Sequence, residues 1–226
     1  SFFKLKTIQI KIVIVDDGSK DNSIEVINKF KKNNFYKNIS IKILKHKKNK
    51  GLGRALRTGF EYCFLKGKND DILVSMDTDN SHTVDLSYKM ANKIIFNRYD
   101  VVIASRYKKR SKVAGLNLLR KVLSLGAALL YKIFFPIKNV IDYTSGFRAF
   151  KLKSIRNAWK QNKNFFSEKG FSASADIILK LYKYKLEFFE LPINLRYDLK
   201  KGKSKMKVIN TIYLNIALII KRRLFS

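Results

Sequence analysis

The chain has 226 residues, 46% of them hydrophobic, which is enough apolar material for one compact domain with a sizeable core and excludes intrinsic disorder. Its 48 Lys plus Arg against 17 Asp plus Glu give a formal charge of +31, a field that draws polyanions: nucleic acid, anionic lipid headgroups or phosphorylated substrates. A lone cysteine, Cys63, excludes an internal disulfide scaffold and fits a reducing compartment.

Residues 10–15, Ile-Lys-Ile-Val-Ile-Val, are β-branched and run into Asp16-Asp17-Gly18-Ser19, which predicts a strand ending in a polar turn. Asp21-Asn22-Ser23 can cap a helix running to about Lys32, with Ile24, Ile27 and Phe30 at helical spacing. Residues 39–44 read as a second strand, and 51–65 as a glycine-rich entry followed by a helix. A third strand over 71–76 ends at Asp77-Thr78-Asp79. A helix over 84–97 and a fourth strand over 100–105 follow. Strand–helix alternation with short links predicts an α/β fold with parallel strands, and no repeat or linker divides residues 1–226. In such sheets ligands sit beyond the carboxyl ends of strands. The polar clusters at Asp16-Asp17, Asp77 to Ser81 and Ser105-Arg106 all fall there.

The second half begins with a predicted helix over 116–135, stopped by Pro136. A polar, glycine-containing loop over 142–150, a helix over 173–184 and a strand over 186–193 come next. A basic loop over 200–207 leads to an apolar helix over 208–220 that ends in Lys221-Arg222-Arg223. Basic flanks on 116–135 and on the 206–226 tail suit helices lying in a membrane interface, although core or oligomer contacts would give the same pattern. No stretch reaches the ~18 to 20 uninterrupted apolar residues of a membrane span. The chain opens on Ser1 and enters its first strand almost at once, which reads as a missing N-terminal strand.

Two carboxylates in Asp77-Thr78-Asp79, with Ser81, can present oxygens to one side of an extended segment. Hard cations such as Mg²⁺ take such ligands together with substrate phosphates. The same triplet also suits an ordinary turn of capping residues. A carboxylate at Asp16 or Asp17 can accept from the N–H edge of a nucleobase. Gly51 and Gly53 make a permissive loop but lack the third spacing of the dinucleotide fingerprint. Arg106, Arg120, Arg148, Lys203 and Lys205 are candidate phosphate ligands. His46 and His82 with one cysteine cannot build a zinc site, and His82 reads as structural. No helix-turn-helix, zinc-finger or RNA-recognition signature appears, so nucleic acid is not the expected partner.

In order along the chain, Val15-Asp16-Asp17-Gly18-Ser19, Gly51-Leu52-Gly53, Met76 to His82, Ala104-Ser105-Arg106-Tyr107, Arg120 with Ser124, Asp142 to Arg148 and Gly202-Lys203-Ser204-Lys205 resemble glycosyltransferase family 2. Within it they are most similar to the dolichol- and polyprenol-phosphate mannose synthases. The resemblance implies a GT-A fold: a Rossmann-like, mostly parallel sheet flanked by helices, with a C-terminal amphipathic helical and loop region. It implies a metal-dependent, inverting hexosyltransferase using a nucleotide-sugar, GDP-mannose or a UDP-sugar. The acceptor would be a polyprenyl phosphate, met peripherally at the cytoplasmic face of a membrane. It further implies that Asp16 or Asp17 holds the base and that Gly51 lies on the donor side. Asp77 and Asp79 would bind Mg²⁺ or Mn²⁺ with the diphosphate, Ser81 completing the shell. Arg106 and Arg120 would receive the acceptor phosphate, while Arg148 and the Ser204-Lys205 loop close over the donor. A different sugar, a non-lipid acceptor or an inactive donor-binding fragment are the other readings. The family's opening Asn-Tyr-Asn-Glu-like strand motif is absent, and Leu199 stands where the family often has Arg.

Overall fold

The β-branched alternation of residues 10–15 produces the first strand pair, and the rest of the chain builds outward from such pairs. The computed structural model describes residues 8–33, 37–116, 118–162, 164–168, 170, 172–199 and 208–224; side chains at 119, 120 and 208–210 lie outside that description. The chain forms two compact units, Ser1–Leu65 and Lys66–Ser226.

In the first unit β1 (Ile10–Asp16) and β2 (Ile39–Lys45) are joined through α1 (Ser23–Lys32). They pair in parallel from Ile10↔Ile39 to Asp16↔Lys45, so both strands end on the same rim. Asn22 is the N-cap of α1, and the Asp21 carboxylate accepts the N–H of Ser23 at 3.1 Å. The helix α2 (Leu52–Lys66) starts where the Gly51 carbonyl accepts from Arg54 and Ala55, both at 3.1 Å. Gly59 lets α2 lie close on β1, because a methyl there would stand 3.2 Å from a Val15 methyl.

The second unit carries β3 (Ile72–Ser75), α3 (Val84–Asn97), β4 (Val101–Ser105), β5 (Lys112–Ala114), α4 (Leu118–Phe134) and β6 (Arg148–Lys151). After these come α5 (Leu152–Gln161), α6 (Ala173–Tyr182), β7 (Phe188–Pro192), β8 (Asn194–Arg196), a 3-10 turn (Tyr197–Leu199) and α7 (Val208–Leu224). Its main sheet has the order β3-β6-β4-β7. Every residue of β4 is buried, as its unbroken apolar run requires of a central strand. On α3, Leu86, Met90 and Ile94 sit one turn apart and pack on Val102, Ala104, Phe147 and Ala149. Each such side chain contributes ~1.5 to 3 kcal/mol by leaving water.

One expectation needs correction. The predicted loop over 142–150 ends in strand β6, which runs antiparallel between β3 and β4. A glycine and a run of polar residues mask this strand locally, and its pairing on both edges stabilises it. Strand pairing is mostly parallel, as expected: β1 with β2, β4 with β7 and β5 with β8 are parallel, and both β6 pairings are antiparallel. The short β5, β8 and α5 were not expected from the sequence.

Tyr131 of α4 donates to the Asn215 side chain of α7 at 2.6 Å, which joins the two helices. Their outer faces leave Leu118, Val122, Leu125, Leu129 and Ile133, with Tyr213, Ile216, Ile220 and Leu224, exposed. Among the described residues no helix is long and apolar enough to cross a membrane.

Candidate functional site

At the rim of the first unit, β1 ends in Asp16 and β2 runs on into His46, whose N–H bonds the Asp16 carbonyl at 2.9 Å. Asp16 Oδ1 accepts the N–H of Ser19 at 2.9 Å, closing the 16–19 turn. Gly18 takes φ +76°, and a side chain there would meet the Asn49 nitrogen at 2.8 Å, so this turn lies directly on the 48–49 backbone. Asp17 ties the same two loops together. Its Oδ1 accepts from the N–H of Lys50 at 2.9 Å and its Oδ2 from the N–H of Gly51 at 2.8 Å. His46 Nδ1 completes the set at 2.6 Å from Oδ1. Burial by itself would raise the Asp17 carboxyl, but these hydrogen bonds hold it below its ordinary value. The base-recognition candidates Asp16 and Asp17 thus differ: Asp16 closes its own turn, whereas Asp17 anchors the glycine loop containing Gly51.

In the second unit β3 runs out into a turn that is held from several sides. The N–H of Asp77 donates to His82 Nδ1 at 3.2 Å, and the His82 ring stacks on Phe147 with centroids 4.7 Å apart. Asn80 takes φ +63°, a conformation Asn tolerates better than most residues. Asp79 Oδ1 accepts from the Ser81 N–H at 3.2 Å and from its hydroxyl at 2.5 Å. Ser81 is buried, and its carbonyl accepts from the N–H of Arg196 at 3.1 Å. The structure therefore brings Asp77, Asp79 and Ser81 into one turn, with the Ser81 hydroxyl turned onto Asp79.

The 142–148 loop lies beside this turn, since a methyl on Gly146 would stand 3.8 Å from Asp77 Oδ1. The loop also grips Arg106 at the end of β4. Asp142 Oδ2 accepts from the backbone N–H of Arg106 at 3.0 Å and from its Nε at 2.8 Å; Oδ1 accepts from Nη2 at 2.6 Å. Nη2 also donates to the Thr144 hydroxyl at 2.6 Å. Asp142 is fully buried, and the Arg106 side chain is 16% exposed. Burial works against charge on both groups, yet each holds the other ionised: Asp142 lies below the usual carboxylate range and Arg106 is raised. Beside them the Tyr107 hydroxyl lies 2.6 Å from Ser124 Oγ on α4.

Glu190 on β7 supports this arrangement from below. Its Oε1 accepts the N–H groups of Ile141 and Asp142, both at 2.7 Å, and it is buried. Burial pushes its carboxyl up, and the neighbouring Asp142 charge adds to this. Sequence reading passed over Glu190, although a signal existed: it shares strand parity with Phe188, an inward position where a lone acid is unusual. Arg148 is also interior. It donates to the carbonyls of Tyr143, at 2.7 Å, and Ser174, and its Nε has no hydrogen-bond partner among the described residues. Arg120 lies on α4, but its side chain is outside the described residues, as are Ser204 and Lys205.

In each unit polar turns follow the ends of strands flanked by helices, and the fold is GT-A. A solved structure with that fold, the glucosyl-3-phosphoglycerate synthase from Mycobacterium tuberculosis in complex with phosphoglyceric acid, matches at a TM-score of 0.60 and 15% identity. The match covers 93% of this chain and 67% of that one. The family model for glycosyl transferase family 2 matches residues 1–160, and the chain belongs to that family. The UDP-N-acetylglucosamine–dolichyl-phosphate N-acetylglucosaminyltransferase of Methanococcus voltae is 29% identical over 206 residues, covering 86% of this chain and 79% of that protein. The dolichol-phosphate mannosyltransferase of Pyrococcus furiosus is 30% identical over 213 residues, covering 92% of this chain and 56% of that protein.

Proposed function

We propose that this glycosyltransferase moves a hexose, mannose by default, from a nucleotide-sugar to a polyprenyl phosphate at the cytoplasmic face of a membrane. The observation that carries the reading is the 142–148 loop, which stands beside Asp77 and clamps Arg106. An acidic turn and a fixed guanidinium thus lie on either side of this loop, at the ends of the two strands that flank β6, which suits a reaction between two phosphate-bearing substrates. The names of the two dolichyl-phosphate transferase relatives support the lipid acceptor, and their different sugars leave the donor open.

In this reading Asp16 or Asp17 recognises the base and Gly51 lies on the donor side. Asp77 and Asp79 meet the diphosphate. No group of three or more His, Cys, Asp or Glu that could hold a metal gathers among the described residues. Two carboxylates nevertheless fit Mg²⁺ or Mn²⁺, which commonly keep one or two carboxylates and take substrate phosphates for the rest. Ser81, whose hydroxyl donates to Asp79, orients that carboxylate. Bound there, the cation supplies Lewis-acid charge to the nucleotide's diphosphate.

Arg106 and Arg120 receive the acceptor phosphate. An oxygen of that phosphate attacks the anomeric carbon, and the bond from that carbon to the diphosphate breaks with inversion. The nucleoside diphosphate leaves with the electron pair. The attacking oxygen is already anionic near neutral pH and needs no general base. In keeping with this, His82 is engaged with the Asp77 backbone and Phe147. Catalysis then rests on positioning and charge stabilisation. Arg148, braced on the Tyr143 and Ser174 carbonyls, holds the 142–148 loop on the donor side, and Ser204 and Lys205 are read as further donor ligands.

The exposed apolar faces of α4 and α7 support a lipid surface as the partner. Part of the basic flank turns inward, since Arg222 bonds buried Asp176 at 2.7 Å, while exposed Lys221 bonds Glu168 at 2.9 Å. The test is a donor screen with polyprenyl phosphate, with Mg²⁺ or Mn²⁺ supplied and product read by mass spectrometry. GDP-mannose, UDP-glucose and UDP-N-acetylglucosamine are the donors to compare. A glycosylated lipid phosphate is expected with one of them, and absence of product from all three sinks the reading. Sedimentation with anionic vesicles, falling at high salt, tests the surface.

A further inference from the structure

His46 stands outside every motif that carries the family resemblance, yet it lies at the centre of the first unit's rim. Its side chain is 7% exposed and that of Asp17 is 18% exposed. Nδ1 lies 2.6 Å from Asp17 Oδ1, and Nε2 lies 2.9 Å from the Thr58 hydroxyl on α2. An ionised carboxylate only accepts, so Nδ1 carries a proton; in the neutral ring Nε2 then accepts from Thr58. The imidazole thus bridges the turn after β1, through Asp17, to α2, through Thr58.

Asp17 in turn holds the N–H groups of Lys50 and Gly51. Gly51 has φ +85° and offers its carbonyl to the first turn of α2. His46 is thus the one side chain among three partners that hold the Asp17 carboxylate, and Asp17 in turn ties the 50–51 backbone to the end of β1. This rim lies at the carboxyl ends of two parallel strands, where α/β sheets bind their ligands.

We infer that His46 is a positioning residue: through Asp17 it holds the 48–51 loop in the shape that receives the nucleoside of the donor. The inference rests on the nucleotide-sugar reading above. His46 does not touch the reacting atoms, so its removal acts on donor binding rather than on the chemical step. Without the imidazole, Asp17 keeps its two backbone partners but loses the one side chain that braces it, so the 50–51 backbone is held less firmly. A hydrogen bond to a charged group is strong enough that its loss is expected to weaken nucleotide binding by at least about tenfold.

The test uses the full chain with Mn²⁺, titrated with GDP and with UDP by calorimetry, and donor KM and kcat measured in parallel. His46→Ala is expected to raise both the dissociation constant and the donor KM about tenfold, with kcat at saturating donor changed far less. His46→Asn, whose amide N–H can reach Asp17 from the Nδ1 position, is expected to recover most of the loss. Thr58→Val, which frees the far side of the ring, is expected to weaken binding less than His46→Ala. It also keeps the inference testable should His46→Ala fail to fold. Wild-type affinity in both His46→Ala and Thr58→Val overturns the positioning role, as does an equal fall in kcat with KM unmoved. If the wild-type chain binds neither nucleotide, the donor reading itself fails, and this inference fails with it.

Discussion

Replacing Asp142 by Asn tests whether the Arg106 clamp is an ion pair or only a shape. The amide is nearly isosteric, so packing is kept. Its NH₂ group, however, must face one of the donors that the carboxylate now accepts: Arg106 Nε at 2.8 Å, Nη2 at 2.6 Å, or the backbone N–H of Arg106 or Ser145 at 3.0 and 2.9 Å. The substitution also leaves a guanidinium of 16% exposure without its counter-charge. Removing one partner of a buried pair typically costs ~3 to 5 kcal/mol. For a chain of this size that corresponds to a fall in melting temperature of about 6 to 20 °C. Urea unfolding of Asp142→Asn, Arg106→Met and the double variant reads the coupling directly. If the ion pair carries the effect, the double variant is less destabilised than the sum of the singles by more than ~1 kcal/mol. Additivity within ~0.5 kcal/mol would refute the clamp as an electrostatic device. The pH dependence has a definite sign. The folded-state pKa of Asp142 lies below its ordinary value of 3.8, so its contribution to stability is present above that value and is lost as pH falls further. Wild-type stability should therefore fall more steeply than that of Asp142→Asn as acid is added below about pH 4.

Asp79→Ala is expected to lower kcat by ~10²- to 10³-fold, the usual loss for one electrostatic partner of the transition state. Ser81→Ala, which removes only the orienting hydroxyl, should weaken Mn²⁺ binding by ~10- to 100-fold, as read by calorimetry in the presence of nucleotide. Arg120→Ala should raise the KM for lipid acceptor more than that for donor; equal changes in both would remove it from the acceptor side. Gly18→Ala forces an L residue to φ +76° with its methyl 2.8 Å from the Asn49 nitrogen, and should cost at least ~1 to 2 kcal/mol in urea unfolding.

Local patterning determined much of this molecule. The β-branched run at 10–15, the helical spacing of Ile24, Ile27 and Phe30, and the polar turns after β1, β3 and β4 are short-range signals, and each produced the element it implied. These signals act within a few residues, because side-chain periodicity and turn chemistry are local properties. Strand order and partner choice are not. β6 has four residues, one of them a buried arginine, and reads as loop until β3 and β4 pair with it on either side. Arg106 finds Asp142 across 36 residues, Glu190 finds Asp142 across 48, and His46 finds Asp17 across 29. The sequence by itself supplied the acidic and basic groups and put them at strand ends. Only the tertiary structure decided which of them hold another residue in place, as Asp17, Asp142 and Glu190 do. Burial leaves a charged group a choice among a few long-range partners, and no local pattern records which one the fold brings near.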